Sequence, residues 1–304
     1  MTLGTPVFSD PQTIAEKTSV YNKLKEVLKL STVKELQNAP WEDLFKAYSV
    51  SDPRHGMGEV GMIDDEFLSS SWRDRLKFAS GRGEMLIGTN GWESSVCAIV
   101  FMQSPTVDPK PMAQSLIDKL HSIVSPSKVD ALLKAYKISA VSPAESVVDS
   151  IYAIIDDFMF YKPAEWLSEH AKKHGIKVRE YTFDQQQPFG GPFKGTASHS
   201  LDLAYLHGDP AIFAHLPNIE RELAIQDEVQ NSWIDFSYGQ APWDVNVVKQ
   251  FGPNGNVRML EKETFLRDLR RKSIWFVFDA FSAKEMNVIW PILLGHLGAL
   301  VGTA

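Results

Sequence analysis

Lys194-Gly195-Thr196-Ala197-Ser198-His199-Ser200-Leu201-Asp202-Leu203-Ala204-Tyr205-Leu206 is the stretch on which the reading of this chain turns. It sets a histidine behind a small, flexible loop and ahead of the alternating apolar residues Leu201, Leu203 and Tyr205. A carboxylate, Asp202, follows the histidine by three positions. Upstream, Gly190, Gly191 and Gly195 with Pro188 and Pro192 supply turn chemistry, which places the loop at the surface. An imidazole held at the rim of a cleft titrates near neutrality and is suited to proton transfer. The alternative at this point is a histidine that caps the next element.

The stretch resembles the histidine loop of the type-B carboxylesterases, the large α/β-hydrolases that include cholinesterases and fungal esterases. In that family a glycine-flanked loop delivers the triad histidine, with an acidic residue three positions on and an aromatic-apolar run behind it. His199, Asp202 and Leu203 to Leu206 fill those places. Other segments fall in the family's order. Ile63-Asp64-Asp65-Glu66-Phe67-Leu68 resembles the segment before the acid strand, and Met85-Leu86-Ile87-Gly88-Thr89-Asn90-Gly91-Trp92-Glu93 is similar to the strand and turn that bear the triad acid. Trp233-Ile234-Asp235-Phe236, then Gly239 and Pro242-Trp243, resembles the signature downstream of the histidine. The resemblance runs from near residue 10 to about residue 260.

One departure outweighs these matches. The family's nucleophile is a serine in a G-x-S-x-G elbow placed before the matched region, and no G-x-S-x-G occurs in these 304 residues. His55-Gly56-Met57-Gly58 only superficially imitates the family's glycine-rich oxyanion loop. The resemblance therefore implies an incomplete α/β-hydrolase: the later part of the sheet with a large helical insert, and without early strands or nucleophile elbow. It implies a single carboxylesterase-like domain over 1–304, with the helical insert at 104–175. It also implies that Glu93 orients His199, a pair able to act as general acid or base but unable to form an acyl-enzyme alone. The competing reading makes both residues relics that tie two loops together.

Trp92, Ser94, Phe158 and Trp233 are the expected substrate-binding residues, beside which Phe160, Trp72 and Trp166 are further aromatic candidates. Ser94 stands where the family commonly has glycine. His121, His170, His174, His207 and His215 lack metal-ligand spacing, and no metal or other cofactor is expected.

Composition supports an ordinary globular chain: 44% of residues are hydrophobic, enough to bury a substantial core. The net charge of -7, with scattered basic residues, argues against a nucleic-acid groove. Met1 to Pro6 lacks the charged and apolar regions of a signal peptide, and the Val288–Val301 run is broken by Pro291, Gly295, His296 and Gly298. Secreted members of the resembled family rely on disulfides, whereas Cys97 is the only cysteine and no N-x-S/T sequon is present. A cytoplasmic location and a buried, structural Cys97 are expected. Removing the early strands would leave an open sheet edge, so a homo-oligomer or a partner chain covering it is expected. The expected function is an esterase-like enzyme acting on a hydrophobic small molecule in intracellular biosynthetic metabolism. It is either non-hydrolytic (isomerisation, cyclisation, elimination) or dependent on a partner's serine; a non-catalytic binding protein or a split fragment is the alternative.

Overall fold

The computed structural model describes residues 11–51, 61–66, 68, 83–97 and 112–297. The chain divides into two compact units, Ser9–Lys77 and one built on Phe78–Ala304. Residues 1–10, 52–60, 67, 69–82, 98–111 and 298–304, which include His55 to Gly58, Phe67, Trp72 and the start of the 104–175 insert, lie outside the described residues.

In the first unit, β1 (Gln12–Thr13) pairs in parallel with β2 (Met62–Ile63). Thr13 caps α1 (Ile14–Leu28), and Thr32 caps α2 (Val33–Gln37), each in a capping box closed by the glutamate three residues on. The Thr32–Glu35 box is the one that the sequence pattern marks. α3 (Trp41–Ser51) follows Pro40 and leaves Trp41 and Phe45 exposed.

The second unit is organised by a four-stranded sheet in the order β3-β4-β5-β6: β3 (Glu84–Asn90), β4 (Lys177–Phe183), β5 (Val247–Phe251) and β6 (Val257–Glu261). β3, β4 and β5 run parallel, while β6 returns antiparallel from β5. The sequence marks β3 as an apolar run over 84–88, β4 by alternation over 177–183 and β6 as a short strand over 257–260, but passes over β5, whose Val248 to Phe251 are all buried, so polar Lys249 and Gln250 break the apolar signal. Lys249 is accommodated there by Glu228 and the Ser232 hydroxyl.

Between β3 and β4 lie α4 (Met112–His121), α5 (Pro126–Ala135), α6 (Ala144–Ile155) and α7 (Lys162–Lys173). α6 buries Val147, Ile151, Ile154 and Ile155, the stripe that helical spacing produces. Proline and serine punctuation suggests a break before Pro163, but α6 and α7 are joined by a π-helical turn, Asp156–Tyr161. Proline in an α-helix clashes with the carbonyl four residues earlier. The wider turn just ahead of Pro163 relieves that conflict and rotates Asp156, Asp157, Phe160 and Tyr161 into the interior.

The remaining helices are α8 (Leu201–His207), α9 (Ile219–Ser237), α10 (Lys262–Asp268) and α11 (Ala283–Leu297), with a 3₁₀ segment over Lys272–Ala280. The alternation of Leu201, Leu203 and Tyr205 is not a strand signal here. Leu201 and Tyr205, four apart, share the buried face of α8 and join a core of Phe183, Phe213, Ile225, Val229 and Phe251. No helix among the described residues is long and apolar enough to cross a membrane.

One ion network, buried at Glu180 and half-buried at its other members, locks α7 to the sheet. Lys262 Nζ lies 3.1, 2.7 and 2.8 Å from Glu165, Glu169 and Glu180, and Lys172 Nζ lies 2.7 Å from Glu180. Burial pushes the Glu180 carboxyl up, but Lys262, Lys172 and the Ser168 hydroxyl outweigh it and hold it below its ordinary value. A carboxyl held low stabilises the fold above its unfolded value and loses that contribution as pH falls through its folded value. Lys262→Met is therefore expected to cost about 3 kcal/mol at pH 7. The gap from wild type should narrow below about pH 4 in thermal unfolding, as the carboxylates become neutral.

Candidate active site

The parallel register of β3 and β4, Glu84 opposite Lys177 through Asn90 opposite Phe183, brings both strands to an end on the same side of the sheet. In parallel sheets ligand sites form outside the carboxyl ends of the strands. Glu93 sits three residues past the end of β3. His199 arrives on the loop after β4, where Gly191 (φ 97°) and Gly195 (φ 80°) adopt the left-handed backbone that glycine allows.

Three backbone ties join the acid turn to the histidine loop: a parallel bridge between Trp92 and Ser198, the Trp92 N–H donating to the Ala197 carbonyl at 2.8 Å, and the His199 N–H donating to Ser95 Oγ at 2.7 Å. Ser95 in turn donates to the Trp92 carbonyl at 2.8 Å. This geometry places His199 Nδ1 2.5 Å from Glu93 Oε2. The other glutamate oxygen accepts the Asn90 N–H at 2.6 Å, so the carboxylate is held at both ends. Phe160 packs its ring 5.4 Å from the imidazole.

A cavity of about 360 Å³ opens beside the pair. Phe160, Leu167, Tyr181, Leu203 and Trp233 give it apolar and aromatic walls, and Asn90, Glu93, His199 and Asp202 give it a polar end. Asp202 accepts from Asn90 Nδ2 at 3.1 Å and from the Tyr181 hydroxyl at 3.0 Å. Burial, together with the Glu93 charge, raises its carboxyl above the ordinary range despite those bonds. Asn90 thus spans two carboxylates at the end of one strand.

Of the residues singled out from sequence, His199 and Glu93 come together and Trp233 lines the cavity. Trp92, Ser94 and Phe158 are not among its lining residues. Trp92 packs edge-on to Tyr152 and Phe193, Phe158 packs on Phe278 and Trp290, and Ser94 is fully buried with its backbone N–H on Asp156. Cys97 is buried, and burial with the nearby Asp156 charge pushes its thiol up to about 12, away from nucleophilic use. His170 stacks on Trp166 along α7 and meets, at a tilt, the ring of His174 at the helix's C-cap. Glu165, Glu169 and Glu180 converge closely enough for a metal ion, but the Lys262 ammonium already lies among them.

Asn90, Asp156 and Tyr161 escaped the sequence reading. The Tyr161 hydroxyl donates to the Gly91 carbonyl at 2.9 Å, at the base of the acid turn. A sequence signal does exist: two consecutive acids, Asp156-Asp157, inside an otherwise apolar run from Ile151 to Tyr161 must be buried with partners.

The model of the carboxylesterase family matches residues 5–264. The chain belongs to the carboxylesterase family. Its similarity to solved structures is remote in sequence. A PNB esterase is 17% identical with a TM-score of 0.60, the match covering 88% of this chain and 56% of that one. A thermophilic PNB esterase matches with a TM-score of 0.62 at 17% identity, over 88% of this chain and 55% of the other. A carboxylesterase from Geobacillus stearothermophilus is 16% identical with a TM-score of 0.60, over 87% of this chain and 55% of that one. No curated protein matches the chain. At these identities the likeness shows the fold, and the expected partial α/β-hydrolase is borne out: this carboxylesterase-family chain spans little more than half the length of the structures it resembles.

Proposed function

We propose that this carboxylesterase-family chain is an esterase-like enzyme in which His199, oriented by Glu93, moves protons on a hydrophobic small molecule bound in the adjoining cavity. The observation that carries this reading is the 2.5 Å Nδ1–Oε2 contact, which leaves Nε2 as the working nitrogen of the imidazole. Glu93 fixes the tautomer and balances the charge when the ring becomes protonated. The apolar walls favour an uncharged, hydrophobic substrate, in line with a role in intracellular biosynthetic metabolism in the cytoplasm.

No G-x-S-x-G is present in these residues, so ester hydrolysis through this pair takes its hydroxyl from a polypeptide segment outside them. The cavity favours that version over lone-chain isomerisation, cyclisation or elimination. Successive strand residues point to opposite faces, yet all six residues from Met85 to Asn90 line the cavity, so it runs along the edge of β3 rather than over one face. Among the described residues no strand pairs with that edge. A strand from a second chain, or a second copy, lying in this slot would end beside His199.

Fluorophosphonate labelling separates the possibilities. The chain alone is expected to take up no label, whereas in the complex the label should appear on the serine that the other chain supplies. A stoichiometric serine adduct on the lone chain would contradict this, and a strictly monomeric, active particle in sedimentation would remove the partner.

A further inference from the structure

Against the acid turn that carries Glu93 stands a second buried carboxyl, outside the cavity lining, for which the proposed chemistry has no use. Asp156 is 6% exposed and opens the π-helical turn that joins α6 to α7. Its Oδ1 accepts the backbone N–H of Ser94, the residue next to Glu93, at 2.6 Å. The contact bridges 62 positions of sequence and ties the π turn to the acid turn. Tyr161, from the other end of the same π turn, grips the carbonyl of Gly91. The acid turn is therefore clamped at both ends by one helical turn of a type rare in proteins and frequent at functional sites.

We propose that Asp156 is a positioning residue for the Glu93–His199 pair: it sets the backbone of the acid turn by accepting the N–H of Ser94, the residue next to Glu93. This rests on the reading of the pair given above. The charged and titratable groups around Asp156 come from four elements. Glu93 and Cys97 lie on the acid turn and its continuation, Tyr136 ends α5, Tyr161 shares the π turn, and Arg271 precedes the 3₁₀ segment. Burial pushes the Asp156 carboxyl up, and Glu93 adds to that, while the Ser94 contact and the Arg271 guanidinium oppose it; it stands at about 7. A folded value above the unfolded one means that the native state holds an extra proton between the two. Stability then falls as pH rises from about 4 to about 7, with no further loss above that.

A merely structural acid would be silent in the imidazole; a positioning acid is not. The test follows the ring-proton NMR titration of His199 in the full chain as wild type, Asp156→Asn and Asp156→Ala. In wild type the His199 curve should carry a second inflection near neutrality, where Asp156 ionises. Asp156→Asn keeps an oxygen for the Ser94 N–H but loses the charge. It should abolish that inflection. Its thermal midpoint should also exceed that of wild type at pH 8 and match it near pH 4. Asp156→Ala loses the hydrogen bond as well, so its Ser94 amide resonance should shift where that of Asp156→Asn does not. If Asp156→Ala does not fold, Asp156→Asn decides alone. A His199 curve identical in wild type and Asp156→Asn overturns the proposal. Because the readout is the imidazole itself, it stays decisive even if His199→Ala leaves turnover unchanged, the result that would sink the functional reading instead.

Discussion

His199→Ala is expected to lower turnover of the physiological substrate by about 10²- to 10⁴-fold, the range a positioned general acid or base contributes. The size follows from the geometry. The imidazole is fixed from two directions, by Glu93 on Nδ1 and by Ser95 Oγ on its backbone N–H. No other histidine lines the cavity among the described residues, so nothing there takes its place. Glu93→Gln should give a smaller loss, because an amide still meets the ring but no longer balances the imidazolium. Steady-state rates for both variants check this, with circular dichroism to confirm folding. Turnover unchanged in His199→Ala would exclude chemistry by the pair and leave a binding or interaction role.

The second large effect concerns stability rather than chemistry. The Asp157 side chain is fully buried and accepts from the Tyr136 hydroxyl at 2.7 Å and from Arg271 Nε and a terminal nitrogen at 3.0 and 2.9 Å. Burial raises its carboxyl even with those partners, so the ionised form is already under tension. Removing one member of a buried pair costs roughly 3–5 kcal/mol, because the other is left charged and dry. Arg271 is 39% exposed on its side chain, which places Arg271→Met at the lower end of that range. Denaturant unfolding at pH 7 should show the loss. The sign with pH is distinctive: the variant should regain stability on acidification as Asp157 takes up a proton, until general acid destabilisation sets in. Asp157→Asn in the same background should recover part of the loss at pH 7. An Arg271→Met protein as stable as wild type would mean that solvent reaches Asp157.

Much of this was legible in the chain before its structure. The Thr32–Glu35 capping box, β4 from Lys177 to Phe183, and the pairing of Glu93 with His199 all follow from local spacing or from a resemblance in linear order. Such features are set by neighbours in sequence or by adjacent parallel strands. What escaped was set by tertiary context. β5 carries Lys249 and Gln250 into the interior, where partners from α9 and the sheet neutralise them, so its hydrophobic pattern is interrupted. α8 was masked because seven residues with alternating leucines fit a strand as well as a helix. The π turn cannot be read from periodicity at all, since one extra residue per turn shifts every side chain after it. That shift brought Phe160 to His199 and took Phe158 away to Phe278 and Trp290. Trp92 and Ser94 adjoin the acid in sequence, whereas turn geometry packs Trp92 on Tyr152 and Phe193 and buries Ser94 against Asp156.

The most direct test of the Glu93–His199 pair needs no substrate. A proton held between imidazole Nδ1 and a carboxylate at 2.5 Å is strongly deshielded, so the low-field proton NMR spectrum should contain one exchangeable resonance well beyond ordinary ring N–H signals. It should vanish in His199→Ala and move upfield in Glu93→Gln. A spectrum without that resonance, or one in which it survives Glu93→Gln unmoved, would contradict the account.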